Sequence, residues 1–293
     1  MLVAFHSPPN GFFKSNPPYT FEMLLKLVEK AAVLGFECFQ IGPTSSFDVI
    51  DGDQLRTVLE KCAMKSNVHV GGLYDAEKFV TSNLERIRFQ KDLHLGIELS
   101  REVSSPLVSF HPPFFRSANL DGTLSSRARM RFQELVKEEA DFAHENGIKL
   151  ALESFCYPPF IFNGLKDLIL FLSNFPLTRL GALLEVGHLF QAGFNLDEAI
   201  QAFNQRLLDV HVHDATREKD FRKATHLPMG KGTIDFCNLI RTLSKIKYDG
   251  WLTLEVKGTE EEIIQSREQL EDLVMQQHQQ SNRTGNESGH HTC

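Results

Sequence analysis

Apolar residues recur along this chain with two spacings, and the two alternate from end to end. Short runs rich in β-branched and aromatic residues have the length and composition of buried strands: "LVAFH" (2–6), "FECFQI" (36–41), "VHVGGL" (68–73), "LVSFH" (107–111), "KLALE" (149–153), "GALLE" (181–185), "LDVHVH" (208–213) and "WLTLEV" (251–256). Between them lie longer segments, such as "YTFEMLLKLVEKAAVLG" and "SSRARMRFQELVKEEADFAHENG", in which apolar residues return at i, i+3, i+4 and i+7. That spacing gathers them on one face of a helix. Gly35 and Gly147 stand where glycines end helices just before a strand, and Asp249-Gly250 turns the chain into the last strand. Ser125 and Thr233 are the candidate N-caps.

A strand followed by a helix, eight times over, is the count that closes a (β/α)8 barrel. An open doubly wound sheet would need fewer strands or a reversal point, and no G-x-G-x-x-G follows the first strand. The pattern therefore predicts an α/β chain with a single TIM barrel over residues 1–275. The rest, 276–293, "QQHQQSNRTGNESGHHTC", is expected to be a disordered polar tail, because it can bury too little apolar surface to offset the entropy of ordering.

Composition changes this picture little. With 42% hydrophobic residues and 24 phenylalanines among 293, the chain has ample material for a core. A formal net charge of -7 without a basic block argues against a dedicated nucleic-acid binder, since neutralising phosphates takes clustered Lys and Arg. The five cysteines are scattered and never form C-x-x-C, so they suit neither a disulfide framework nor a thiolate zinc site and fit a reducing cytoplasm. The start, "MLVAFHSPPNGFF", lacks the basic region of a signal peptide. No window offers the roughly 18 apolar residues of a membrane span.

The chemistry is concentrated where the predicted strands end, which in a TIM barrel is the functional mouth. These ends carry His6, His111, Glu153, Glu185 with His188 just beyond, His211 with His213 and Asp214, and Glu255. Glu153, Glu185 and Glu255 are far apart in sequence but converge on one ring with His211 if the barrel closes. Three carboxylates so placed repel one another unless a cation neutralises them. An oxygen-rich set with a single imidazole suits one divalent metal, Mn, Mg or Co by preference, with Zn also admitted. His69 is expected to face the opposite side of its strand. The loops "HSPPNGFFKSNPPY" and "HPPFFR" offer Pro and Phe for an apolar wall beside the mouth.

The ordered set "LALES", "LLEVGH", "HVHDA", "HLPMGKGTIDF" and "GWLTLE" resembles the xylose-isomerase-like TIM-barrel superfamily, which includes sugar isomerases and epimerases and the endonuclease IV type of DNA-repair enzymes. In the isomerase and epimerase branch, the resemblance implies that Glu153, Glu185, His211 and Glu255 bind the metal, and that His188, Arg217, His226, His111 and His6 contact substrate. Glu153 and Glu255 would then be catalytic, moving a proton α to a carbonyl of a carbohydrate substrate. The position of Glu185 is usually Asp in that family, and one methylene moves the carboxylate by about 1.5 Å. Lys231 takes the place of the commoner Glu. The resemblance also implies a homodimer or homotetramer, and leaves a keto-sugar dehydratase open.

Two other readings stand beside it. An endonuclease IV-like metal-dependent phosphodiesterase would use further ligands; His111, His188 and His226 match, while Gly71 and Ala224 stand where two others would be. A barrel that binds a carbohydrate without turning it over is the third.

Overall fold

The computed structural model of the protein describes residues 1–6, 20–42, 50–116, 122–218 and 224–287. Eight strands run in the order β1 (Leu2–Phe5), β2 (Cys38–Ile41), β3 (Lys65–Val70), β4 (Leu107–Phe110), β5 (Lys149–Glu153), β6 (Leu180–Glu185), β7 (Leu207–Val212) and β8 (Trp251–Leu254). Each pairs in parallel with the next, and β8 pairs with β1 to close the barrel. The helices are α1 (Phe21–Val33), α2 (Gly52–Lys61), α3 (Ala76–Thr81), α4 (Asn83–Glu102), α5 (Gly122–Glu145), α6 (Leu165–Ser173), α7 (Val186–Gln191), α8 (Leu196–Phe203), α9 (Phe236–Lys245) and α10 (Glu260–Glu287). This is a TIM barrel, as the alternation predicts. No helix among the described residues is long and apolar enough to cross a membrane.

Alternation along each strand divides the apolar residues into two sets. Phe5, Phe39, Ile41, Val68, Val70, Val108 and Phe110 with their counterparts in β5 to β8 pack outward against the helices. A smaller set, Ala4, Cys38, Leu107, Ala151, Leu183 and Trp251, fills the inside of the barrel. Nearer the mouth the interior turns polar. Asp209 on β7 accepts from Gln40 Nε2 on β2 at 2.9 Å, Asn67 Nδ2 on β3 at 3.1 Å and Thr253 Oγ1 on β8 at 2.8 Å, so these side chains span the barrel. Burial pushes the Asp209 carboxyl up to about 6, although nearby His211 and the hydrogen bond from Thr253 favour its charged form.

The structure departs from the sequence reading at several edges. β3 begins at Lys65, earlier than the apolar run at 68, because Ser66 and Asn67 are polar yet buried. Neither candidate N-cap serves: α5 starts at Gly122 with Ser125 inside it, and α9 is capped by Asp235, whose carboxylate accepts from Asn238 N at 2.9 Å. Thr233 instead donates its backbone N–H to Ala215 O at 2.9 Å. The glycine stops do serve, with Gly35 and Gly147 at φ 85° and 74°. α10 continues past Gln276 to Glu287, through residues assigned to the tail; 288–293 lie outside the described residues.

Close approach between β6 and its neighbour rests on Gly181, where a Cβ would lie 2.4 Å from the backbone oxygen of Arg206. Gly181→Ala is expected to destabilise the protein by about 1–3 kcal/mol, because a backbone carbonyl cannot rotate away. Urea unfolding of the two proteins measures the difference.

Candidate active site

Strand polarity brings Glu153, Glu185, His211 and Glu255 to one end of the barrel, as the sequence pattern requires. The centre of the ring is His211, which is 1% exposed. Its Nδ1 lies 3.1 Å from Glu185 Oε2 and 3.1 Å from Glu255 Oε2, and its Nε2 points toward Asp209 at 3.9 Å. Glu153, Glu185 and His211 each bring a donor atom within 4.8 Å of the other two. Burial opposes a charge on His211, yet hydrogen bonds to Glu185 and Glu255 raise its affinity for a proton well above the ordinary imidazole range. Burial likewise favours neutral carboxyls, but attraction to His213 and hydrogen bonds from His211 and His213 hold Glu185 below its usual value. Glu255 is held well down, against burial, by His226 and His211. Glu153 goes the other way: burial raises it, only partly offset by His111.

A second group adjoins the ring through Glu153. His111 Nε2 lies 2.9 Å from Glu153 Oε2, and His69 Nε2 lies 3.2 Å from His111 Nε2 and 3.6 Å from Glu153 Oε2. This corrects the expected orientation of His69. It faces into the barrel, its ring 5.1 Å from that of His211, because its neighbours Val68 and Val70 pack outward against the helices and alternation turns His69 the other way. Ser109 Oγ lies 2.9 Å from His69 Nδ1 and fixes the ring, so that Nε2 is the nitrogen turned toward His111 and Glu153. A Cβ at Gly71 would lie 3.3 Å from His69 Nε2, so the His69 ring lies beside position 71.

A third group lies on the far side of Glu185. His188 Nε2 is 3.1 Å from His226 Nε2, and the His213 ring stacks on that of His226 with centroids 4.3 Å apart. His226 Nδ1 is 3.2 Å from the backbone oxygen of Glu255. Burial and neighbouring imidazoles depress both: His188 falls to about 3 and His226 to about 4. His6 completes the mouth, its ring parallel to His211 at 6.1 Å and its Nδ1 3.3 Å from Gln40 O.

Other residues of the seventh loop do different work. Asp214 accepts backbone N–H groups from Ala215, Gly230, Gly232 and Ile234 at 2.8 to 3.1 Å. A Cβ at Gly232 would lie 2.2 Å from Asp214 Oδ1, so this glycine of "HLPMGKG" makes room for Asp214. Arg217 is exposed, with its guanidinium 4.6 Å over the Phe190 ring; no contact joins it to the ring of carboxylates among the described residues. Lys231 is exposed and sits 3.6 Å from Glu262.

The apolar wall joins "HPPFFR" to a segment the sequence reading passed over. Phe155, just after β5, stacks on Phe160 at 4.4 Å and meets His111 and His188 edge-on at 5.2 and 5.3 Å. From "HPPFFR", Phe114 packs on Phe160 with ring centroids 6.2 Å apart, as expected of that run, and Phe115 is buried. Residues 7–19 of "HSPPNGFFKSNPPY" lie outside the described residues. Burial pushes the Cys156 thiol up to about 12, which makes it a packing residue and not a nucleophile.

A parallel barrel with carboxylates and imidazoles converging on its C-terminal mouth is the frame of a TIM-barrel enzyme. The family profile of xylose isomerase-like TIM barrels matches residues 28–273, and the chain belongs to that family. It is 26% identical over 193 residues to an uncharacterized protein of Methanocaldococcus jannaschii, covering 61% of this chain and 60% of that protein. Over 240 residues it is 24% identical to the D-psicose 3-epimerase of Enterocloster bolteae, 78% of this chain and 75% of the enzyme. Among solved structures, a D-tagatose 3-epimerase-like protein superposes with TM-score 0.78 at 20% identity, over 96% of this chain and 100% of its own. The IolI protein with a bound zinc atom superposes with TM-score 0.74 at 18% identity, over 94% of this chain and 99% of its own.

The buried histidines have a consequence for pH. His188 and His226 bind protons at about 3 and about 4 in the folded protein, below the 6.5 of an unfolded chain. Their contribution to stability is full above 6.5 and is lost as pH falls toward 4, because the unfolded state takes up the protons first. Metal-free protein is expected to show a melting temperature that falls across this window, with a shallower slope in His188→Asn. Thermal unfolding at a series of pH values measures both.

Proposed function

We propose that the protein is a sugar isomerase or epimerase that abstracts a proton α to a carbonyl, with one divalent cation held by Glu153, Glu185, His211 and Glu255. The observation that carries this is the pair of 3.1 Å separations from His211 Nδ1 to Glu185 and Glu255. Neighbouring ligands on an octahedral cation with bonds of about 2.1 Å stand about 3 Å apart. One cation would also replace the proton that these carboxylates otherwise draw onto His211. Similarity to the D-psicose 3-epimerase over most of both chains supports the carbohydrate substrate.

A divalent cation at this place supplies Lewis-acid polarisation of a carbonyl and its neighbouring hydroxyl. The chain's own groups do the rest. Glu153 and Glu255 stand three strands apart around the mouth, so one removes the carbon-bound proton and the other returns one from the opposite side, as epimerisation requires. Burial raises the proton affinity of Glu153, which strengthens it as a base. His188, His226, His111 and His6 present ring nitrogens to substrate oxygens, and Phe155 with Phe160 keeps water from one side. Arg217 reaches the substrate only if it leaves the Phe190 ring. A keto-sugar dehydratase would begin with the same proton abstraction, and 30% identity over 88 residues to an inosose dehydratase of Clostridium botulinum keeps that outcome in the assay. The four described cysteines are free thiols, which supports a reducing, cytoplasmic setting.

A second reading, metal-dependent phosphodiester hydrolysis, draws on the two flanking groups, His69 with His111 and Glu153, and His188 with His213 and His226. Together with the central ring they make three places for a cation, and the His69 ring lies beside position 71.

Elemental analysis of protein purified without chelator distinguishes the readings. One equivalent of Mn, Mg, Co or Zn, lost in His211→Ala, is expected; two or three zinc equivalents would favour hydrolysis, and none would leave a barrel that binds carbohydrate without turnover. Glu153→Gln and Glu255→Gln are each expected to lower turnover of a ketose substrate by about 10²-fold or more with the melting temperature little changed. Full activity in both would sink the carboxylate mechanism.

A further inference from the structure

The third imidazole group contains a residue whose hydrogen bonds set it apart from the other two. His213 is wholly buried, and its Nε2 makes a close contact with Glu185 Oε1 while Glu185 Oε2 lies 3.1 Å from His211 Nδ1. Its Nδ1 receives the backbone N–H of His226 at 2.8 Å. The same Nδ1 lies 3.2 Å from Asp214 O, but the shorter contact is with the donor, and Nε2 faces a carboxylate oxygen, so in the neutral ring the proton sits on Nε2 and is donated to Glu185. No lone pair then remains for a cation, although His188, His213 and His226 stand close enough to hold one.

The surroundings fit this arrangement. A Cβ at Gly187 would lie 2.0 Å from His213 Cε1 and 2.3 Å from its Nδ1, so the ring occupies the space a side chain at 187 would take. His226 is held at φ 57°, a left-handed conformation that is costly for a residue with a side chain. The Glu185 backbone is tied as well, its N–H donating to Ser154 Oγ at 2.9 Å.

We infer that His213 is the positioning residue for Glu185: by donating to Oε1 it keeps Oε2 facing His211 Nδ1, so that Glu185 serves the central cation through one oxygen. This rests on the cation reading above. A glutamate side chain loses appreciable rotamer entropy when fixed, and a partner that fixes it beforehand removes that cost from metal binding. Ligating carboxylates supported in this way typically lose 10- to 100-fold in metal affinity when the support is removed.

The test titrates metal-free protein with Co(II), following visible absorption for affinity and stoichiometry, in wild type, His213→Ala, His213→Gln, Glu185→Gln and the double variant His213→Ala/Glu185→Gln. His213→Ala is expected to weaken binding by roughly 10- to 100-fold with the number of ions unchanged. His213→Gln, whose amide N–H reaches the same oxygen, restores most of it, and in the Glu185→Gln background the alanine has no further effect. Unchanged affinity in His213→Ala overturns the inference, as does an equal loss in the Glu185→Gln background. Loss of a whole equivalent with the remaining affinity intact overturns it too, by making His213 a ligand. Should His213→Ala fail to fold, His213→Asn replaces it: Asn can accept the His226 N–H but falls short of Glu185, and affinity equal to that of His213→Gln overturns the inference. Wild type that binds no Co(II) overturns the cation reading, and the inference with it.

Discussion

Closing eight parallel strands into a barrel leaves every second side chain no neighbour except the opposite wall. Large apolar residues can meet that constraint only where the interior is sealed, and here Leu107, Leu183 and Trp251 do so. Closer to the mouth the same inward positions hold Asp209, His211, Glu153 and Glu185, all nearly without solvent contact. Groups of that kind are costly to bury singly, so each is arranged against another. The fold therefore turns eight separated stretches of chain into one electrostatic unit, in which moving any member changes the proton affinity of the rest.

The unit has a recognisable internal order. Carboxylates occupy the centre, and imidazoles lie to either side, neutral at His188 and His226 where burial dominates and proton-seeking at His211 where two carboxylates face one nitrogen. Below them the Asp209 network offers a carboxylate held by amide and hydroxyl donors, close to the back of His211 without bonding it. Function in such an arrangement follows from what replaces or moves protons among these groups.

Most of this architecture is legible in the chain. Regular alternation of strand-like and helix-like segments counts the barrel correctly, and strand ends place Glu153, Glu185, His211 and Glu255 together without any coordinates. What the pattern hides is local. His69 reads as outward only if the alternation is taken from the wrong neighbours: Val68 and Val70 are the outward pair, and His69 between them looks inward with Asn67. Asp235 displaced Thr233 as a cap because it lies directly before the buried face of α9, at Phe236, Leu239 and Ile240. Phe155 was overlooked because a single aromatic after a strand carries no periodicity. The two roles of "HVHD" were likewise beyond reach, since only distances separate His213, which faces Glu185, from Asp214, which gathers backbone N–H groups.

That gathering at Asp214 bears on how such an enzyme changes over evolutionary time. One carboxylate pins both the start of the loop, at Ala215, and its return, at Gly230, Gly232 and Ile234. Within the return leg, Leu227 pairs with Asp214 through both backbone groups and Lys257 donates its N–H to His226 O at 2.8 Å, so the stretch that carries His226 is laced to the barrel by its own backbone. Because those bonds are made by main-chain groups, exchanging the side chains of Leu227 and Lys257 leaves the imidazole of His226 where it was. Side chains at the rim of the mouth can accordingly vary while the buried groups beneath keep their places.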